Sequence, residues 1–366
     1  MHNRRVIYAR RPAGSLTADT FRLEESDMPE TGPGQVLCRT IFLSIDPAAR
    51  AWMQARTYRE QLVEGAVMPG HGLAEVVASN SEIPIGTIVT GPVGWQEYAQ
   101  LDAAAVRVVE VRSALSHYLG VLGITGITAY IGLMMLGRPR QGETVLVSGA
   151  AGATGNVVGQ LARIHGCRVV GIAGGATKTA FLVNELGFDA VVDHRSRSFA
   201  DDLKSACHGG VDVYFDNVGG PILERVLRAM NVHGRIVCCG VVSQYDTDDP
   251  VPGPRGVPGL LTTKRLRMEG FIVHDHVHDW PIARSELEDH IVAGRLRVIE
   301  DVIEGLDQAP QALIGLLEGS NLGKRVVRVA QDPAPTTGPR ATDEALSKTA
   351  ASCVVTRDPI QTAGGD

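Results

Sequence analysis

Short apolar runs in the first third of the chain alternate imperfectly with polar residues and are cut by glycine and proline. Val6–Ala9, Phe21–Glu25, Val36–Leu43, Leu73–Ala78 and Thr87–Thr90 have the length and texture of strands. Clusters such as Thr31-Gly-Pro-Gly34 read as turns between them. The texture changes near Leu119. From Glu143 onward the pattern predicts strands at Thr144–Ser148, Arg168–Ala173, Ala190–Val192, Val211–Phe215, Arg235–Cys239 and Phe271–Val273. Helices are predicted at Thr154–His165 and Thr177–Leu186. Strands spaced by helices predict a doubly wound parallel sheet, and uninterrupted apolar strands such as Val145–Val147 suit a sheet covered on both faces. Pro281–Ala293 reads as a helix with proline in its first turn. Val298–Val329 returns to strand, helix and strand and is expected to fold back onto the first unit. The expectation is an α/β fold with a β-rich unit over 1–123, a parallel α/β unit over 124–295 and a return segment over 296–331. Residues 332–366 are rich in Pro, Thr, Ala and Ser. They are expected to form a flexible tail, having too little apolar content to order themselves.

Length and composition bound the function. With 366 residues the chain exceeds one ordinary hydrophobic core, which agrees with two domains. Apolar residues make up 44% and charged residues 21%, as in ordinary globular proteins. A net charge of −6 with no basic block argues against a nucleic-acid partner. No uninterrupted apolar run reaches the length of about 18 residues that a membrane span needs. Met1–Arg11 is basic but lacks the apolar stretch of a secretory signal, so a cytoplasmic location is expected. The six cysteines form no C-x-x-C, and Cys238 and Cys239 sit in an apolar run that predicts buried thiols.

The strongest chemical signal is Val145-Leu-Val-Ser-Gly-Ala-Ala-Gly-Ala-Thr-Gly155. Gly149, Gly152 and Gly155, with Ala153 and Thr154, stand between a strand and a helix. Small residues there permit a tight turn and let the backbone approach a pyrophosphate at a helix N-terminus. The competing reading is a glycine turn made only for packing; Gly159, one turn later, is read in that way. The second strand of a Rossmann unit selects the dinucleotide, because an acid at its end bonds the ribose 2′-hydroxyl of NAD. Here Arg168-Val-Val-Gly-Ile-Ala-Gly-Gly175 carries no acid, and Lys178 follows. A cation in that place suits the 2′-phosphate of NADP. One charge-assisted bond, about 1.5–3 kcal/mol, predicts a preference of about 10–150-fold. The alternative is that Lys178 is a solvated helix residue.

Further blocks resemble the medium-chain dehydrogenase/reductase superfamily. They are Leu43-Ser-Ile-Asp-Pro47, Gly94-Trp-Gln-Glu-Tyr98, Gly126-Ile-Thr-Ala-Tyr130, Gly171-Ile-Ala-Gly174, Asp216-Asn-Val-Gly-Gly220, Cys239-Gly-Val-Val-Ser-Gln-Tyr245, Gly270-Phe-Ile-Val273 and Gly319-Ser-Asn-Leu-Gly-Lys324. Within it the chain is similar, from about Arg5 to Ala330, to the zinc-independent group of leukotriene B4 dehydrogenases and of prostaglandin, alkenal and curcumin reductases. The resemblance implies a GroES-like substrate domain interrupted by the Rossmann domain. It implies hydride transfer from NADPH to the β-carbon of an α,β-unsaturated ketone or aldehyde, and often a homodimer. It places Thr128, Gly174, Lys178, His194, Asn217, Cys239, Gly240, Phe271, Val273 and Asn321 in the cofactor cleft. Tyr245 falls beside the nicotinamide ribose and the substrate carbonyl.

Three departures stand out. Where the group has D-P-Y-M-R, this chain has Asp46-Pro-Ala-Ala-Arg50, so Asp46, Ala48 and Arg50 are expected to border a wider substrate pocket. His194, followed by Arg195, replaces a tyrosine that contacts the 2′-phosphate. Asp246 follows Tyr245 where asparagine is common.

The ligands of a catalytic zinc are missing from their places. Gly70-His71-Gly72 lacks the glutamate of the superfamily's G-H-E, Ser44-Ile-Asp46 lacks a cysteine, and three protein ligands cannot be assembled. No metal is therefore expected, and His71 reads as a turn or core histidine. His274-Asp-His-Val-His278 would align three imidazoles if it were a strand; the other reading is a strand running into a polar loop. Without metal, the enolate formed by hydride addition needs hydrogen-bond donors, for which Tyr245 and the nicotinamide ribose are candidates. Asp249–Thr263, rich in proline and glycine, is expected to be a loop over the substrate mouth. The alternatives are an NADPH:quinone reductase and a non-catalytic NADPH-binding protein, with a zinc alcohol dehydrogenase disfavoured by its missing ligands.

Overall fold

The computed structural model describes residues 2–57, 59–247, 249 and 252–333. The expected tail beyond Pro333, with Cys353, lies outside them. Six parallel strands form one sheet, in the order Ala190–Asp193, Arg168–Ala173, Thr144–Ser148, Val211–Asp216, Met230–Cys238, Arg267–Gly270. The chain starts at the central strand Thr144–Ser148, steps outward twice, then crosses to the other side and steps outward again. The switch point lies between Thr144–Ser148 and Val211–Asp216, where an open α/β sheet leaves a crevice beyond its carboxyl ends.

Both faces of this sheet are covered, as the apolar strands predict. Val145 and Val147 pack with Val157, Val158 and Leu161 of helix Ala153–Ile164. Leu146, between them, points the other way and packs with Leu223 and Leu227 of helix Gly220–Ala229 and Leu203 of helix Phe199–Ala206. Gly159 lets the first helix lie close. A Cβ there would collide with the ring of Phe188, which also lies against Gly171. Gly159→Ala is expected to cost about 1–3 kcal/mol, as overpacking does. Denaturant unfolding checks this, and an unchanged midpoint would contradict it.

The second sheet runs Glu300–Glu304, Lys324–Arg328, Gln35–Ser44, Gly72–Ser79, Ile88–Gly91, Arg107–Val108, with Tyr98–Asp102 also paired to Gln35–Ser44. His2–Tyr8 and Phe21–Asp27 form a separate antiparallel pair. The return segment supplies two strands, one of them antiparallel to Gln35–Ser44. One apolar cluster unites Ile41, Phe42, Leu73 and Val326 with Val157 and Leu161, so the two sheets share a core. The Gly323 N–H donates to the Ala151 carbonyl at 2.8 Å, tying the return segment to the glycine loop.

Several expectations need correction. The last parallel strand is Arg267–Gly270, not Phe271–Val273. Its polar sequence, Arg-Met-Glu-Gly, suits an edge position and hid it from a search for apolar runs. The segment Val273–Asp279 is a 3-10 turn, so His274, His276 and His278 do not share a strand face. Instead, the Trp280 indole N–H donates to the Val273 carbonyl at 3.0 Å and closes the turn into helix Trp280–Val292. Asp249–Thr263 is not all loop. Val257–Lys264 forms a helix with proline in its first turn, while 248, 250 and 251 lie outside the described residues. No described helix is long and apolar enough to cross a membrane.

Candidate functional site

The glycine loop stands at the carboxyl end of the central strand, on the switch-point side. Gly149 has φ 59°, a left-handed conformation that an L side chain rarely adopts. A Cβ on Gly155 would collide with the Gly149 carbonyl oxygen, so this position accepts only glycine. Helix Ala153–Ile164 begins here without a side-chain cap. Its first-turn N–H groups, on Ala153, Thr154 and Gly155, precede the first intrahelical bond, Asn156 N–H to the Gly152 carbonyl, and stand at the positive end of the helix dipole. Asn156 faces the helix itself, donating to the carbonyls of Gly152 at 2.7 Å and Ala153 at 3.0 Å.

Beyond the second strand, two cationic side chains, Lys178 and Arg195, converge with the His194 imidazole. A Cβ on Gly174 would lie 2.8 Å from both His194 Nε2 and Arg195 Nε. A Cβ on Gly319 would lie 3.9 Å from Lys178 Nζ and 3.8 Å from an Arg195 Nη. Lys178 donates to the Gly319 carbonyl at 2.7 Å. Burial lowers the Lys178 pKa, and the neighbouring charges of Arg195 and Arg325 lower it further, against Asp301. Burial likewise lowers that of His194, with Arg195 and Lys178 adding to it. Asp193 is occupied by backbone, accepting from Gly175 N–H at 3.1 Å and Arg195 N–H at 2.9 Å. Crowded cations that repel one another gain when an anion enters between them.

A buried carboxylate organises the middle of the crevice. One oxygen of Asp216 accepts from Ser148 Oγ at 2.9 Å, Tyr214 Oη at 2.7 Å, Val218 N–H at 3.0 Å and Gly219 N–H at 2.9 Å. The Asn217 side chain donates to the Ser148 carbonyl at 2.7 Å, which ties it across the switch point. Cys239 and Gly240 both donate their N–H groups to the Asp216 carbonyl, at 2.9 and 3.1 Å. Burial, reinforced by Asp216, pushes the Cys239 thiol up to about 12, so it is a neutral wall and not a nucleophile.

Tyr245 ends a 3-10 turn, Val242–Gln244, that follows this strand. It is half-buried, and its hydroxyl lies 3.8 Å from where a Cβ of Gly240 would stand. Burial raises its pKa, a backbone hydrogen bond at Val241 opposes this, and Cys239 adds to it, so the phenol keeps its proton. Phe271 flanks the same end of the sheet. A Cβ on Gly132, in the π-helical segment Ile131–Gly137, would lie 2.9 Å from its ring. Val273 is buried, and Asn321 is buried with its amide donating to the Gly323 carbonyl at 2.9 Å. Thr128 spends its hydroxyl proton on the Ile124 carbonyl at 2.7 Å.

The residues read as bordering the substrate separate here. Ala48 is half-buried on the helix Ala48–Gln54. Asp46 keeps 43% of its side-chain surface open and accepts from Lys324 Nζ at 2.6 Å and Ser44 Oγ at 2.5 Å. Arg50 is a correction: its side chain is 0% exposed, bonded to Asp246 and the Gly14 carbonyl, and has no surface to offer a substrate. Lys324, at the end of the block Gly319–Lys324, joins the site through its bond to Asp46, a role that its sequence position does not signal. Arg195, named only as the neighbour of His194, emerges as its equal.

Asp46 and His71 stand where zinc ligands would be sought, and they do not fit a zinc ion. The Lys324 ammonium already neutralises Asp46. Burial lowers the His71 pKa; the charge of Asp46 opposes this, while Lys324, Arg107 and His274 add to it. Among the described residues, no group of three or more His, Cys, Asp or Glu side chains is placed to hold a metal.

Two family models match, one described as the N-terminal domain of oxidoreductase over residues 4–109 and one as zinc-binding dehydrogenase over 153–289. The chain is 42% identical over 336–337 residues to relatives that include the NADPH-dependent curcumin reductase of Escherichia coli, covering 90% of this chain and 98% of that one. It is 39% identical to prostaglandin reductase 1 of Rattus norvegicus, over 86% of this chain and 95% of the other. The crystal structure of CurA in complex with NADPH from Vibrio vulnificus matches with a TM-score of 0.86 and 39% identity, covering 90% of this chain and 100% of that one. The chain therefore belongs to the medium-chain dehydrogenase/reductase superfamily, in the zinc-independent group of curcumin, alkenal and prostaglandin reductases.

Proposed function

We propose that this protein uses NADPH to reduce the carbon–carbon double bond of α,β-unsaturated ketones or aldehydes, without a metal. The glycine loop and the uncapped first turn of Ala153–Ile164 hold the pyrophosphate. Lys178, Arg195 and His194 hold the 2′-phosphate. Asn217, Cys239, Gly240, Phe271, Val273, Thr128 and Asn321 shape the rest of the cofactor cleft, and Asp46 and Ala48 border the substrate. When bound, NADPH supplies the hydride to the β-carbon. The relatives named for NADPH, curcumin and alkenals support this reading.

The observation that carries it is the neutral, half-buried Tyr245 phenol beside Gly240, at the same end of the sheet as the glycine loop. As the β-carbon gains hydride, charge builds on the carbonyl oxygen. The Tyr245 hydroxyl donates to that oxygen, and the α-carbon then takes a proton from tyrosine or solvent. A buried phenol suits the role because it pays little reorganisation as the charge appears. Loss of reduced-nicotinamide absorbance with a panel of enones, enals and quinones tests the reading. Turnover confined to quinones would favour the quinone reductase, and tight binding with no turnover would favour a binding protein.

The pH dependence has a definite sign. A phenol whose pKa lies above the ordinary value of about 10 stays a donor throughout roughly pH 6–9. Turnover at saturating substrate and cofactor is expected to be flat there and to fall only as pH rises through the raised value. A decline centred near neutrality would remove Tyr245 from the proton-donating role.

A further inference from the structure

Arg50 carries a charge into full burial, and its partners all belong to one contact between the two domains. Its Nε donates to Asp246 Oδ1 at 2.8 Å, and one Nη donates to the Gly14 carbonyl at 2.6 Å. The same Asp246 oxygen accepts the Leu16 N–H at 3.0 Å. One turn along the same helix, Gln54 donates to the Thr247 carbonyl at 2.6 Å. Residues 246 and 247 are thus held by the first domain at three points, immediately after Tyr245.

This arrangement is a poor device for stability. Arg50 is desolvated in full while Asp246 keeps 26% of its side-chain surface open, and an ion pair that buries a whole guanidinium recovers little more than its desolvation cost. Among the described residues Arg50 Nη1 is also buried with no hydrogen-bond partner, which adds to the cost. What the pair provides is geometry, since a guanidinium fork and a carboxylate fix both distance and direction. Asp246 makes this contact an ion pair, Arg50 Nε to Asp246 Oδ1 at 2.8 Å.

We propose that Arg50 and Asp246 are positioning residues that hold Tyr245 at the substrate carbonyl by latching its loop to the first domain. This rests on the reading of Tyr245 given above. Neither residue reaches the substrate; both act through the phenol. The latch also makes the aim of Tyr245 depend on how the two domains are seated. A displacement of about 1 Å in a reacting group costs up to about 10²-fold in rate, so loss of the latch is expected to lower kcat about tenfold.

A mutant cycle on the full-length enzyme, with benzalacetone as substrate, tests this. Asp246→Ala is expected to lower kcat about tenfold and to leave NADPH affinity within about twofold. In the Tyr245→Phe background the same change is expected to cost less than about twofold, because the group being aimed is gone. Asp246→Asn, which keeps the accepting oxygen, is expected to restore most of kcat. Should Asp246→Ala fail to fold, the apolar pair Arg50→Met with Asp246→Leu replaces it, expected to be as stable as the parent yet about tenfold slower. Full kcat in folded Asp246→Ala or in the apolar pair, or losses that simply multiply with Tyr245→Phe, would overturn the proposal. If Tyr245→Phe alone leaves kcat unchanged, the tyrosine mechanism fails as well, a result separate from failure of the latch.

Discussion

Tyr245→Phe is expected to lower turnover about 10²-fold while leaving NADPH affinity unchanged, as removal of one main oxyanion donor does elsewhere. The ring stays, so packing beside Cys239 and Gly240 is preserved and only the hydroxyl is lost. The neutral thiol of Cys239 is a weak donor and does not replace it. The ribose hydroxyl of a bound cofactor remains as a second donor, so the loss stays near the lower end of what such donors contribute. The measurement is kcat with an enone at saturating NADPH, beside a fluorescence titration of the cofactor. A rate within about threefold of the parent would remove Tyr245 as a main donor.

Lys178→Met is expected to weaken NADPH binding about 10–150-fold and NADH binding by little, since only NADPH carries the 2′-phosphate. Arg195 and His194 remain, which places the effect toward the lower end of that range. Burial first, and then the charges of Arg195 and Arg325, depress the Lys178 pKa, and a half-buried ammonium beside a guanidinium is the reason for expecting an anion there. Binding a phosphate relieves repulsion between Lys178 and Arg195 as well as making new bonds. Lys178 also donates to the Gly319 carbonyl, so melting temperatures of the variant and parent accompany the titrations. Equal weakening for both dinucleotides would show that the lysine supports the fold and not the phosphate.

Much of the parallel sheet was legible because its strands are buried on both faces and therefore apolar throughout. Thr144–Ser148 and Arg168–Ala173 stand where the pattern puts them. The edge strand Arg267–Gly270 escaped for the opposite reason, being polar and paired on one side. Alternation misled at His274–His278, because spacing by two has no structural meaning once the chain turns. Val257–Lys264 was hidden by Gly259 and Pro258, both of which a short helix tolerates when proline sits in its first turn.

The site was legible where one residue type has one use. Gly155 and the missing acid after the second strand are of that kind. Partnerships between distant residues were not: Arg50 with Asp246, Asp46 with Lys324, and Arg195 beside Lys178 meet only in the folded chain. Arg50 in particular reads as a pocket residue from its neighbours in sequence, and its full burial corrects that.

Hydride delivery to a β-carbon defines the proposed reaction. It is tested most directly by incubating the enzyme with benzalacetone and NADPH dideuterated at C4 and locating the label in the product by NMR. The expected product is benzylacetone carrying one deuterium on its benzylic carbon, the former β-carbon. Deuterium on a carbinol carbon, or no transfer by enzyme that binds NADPH, would contradict it.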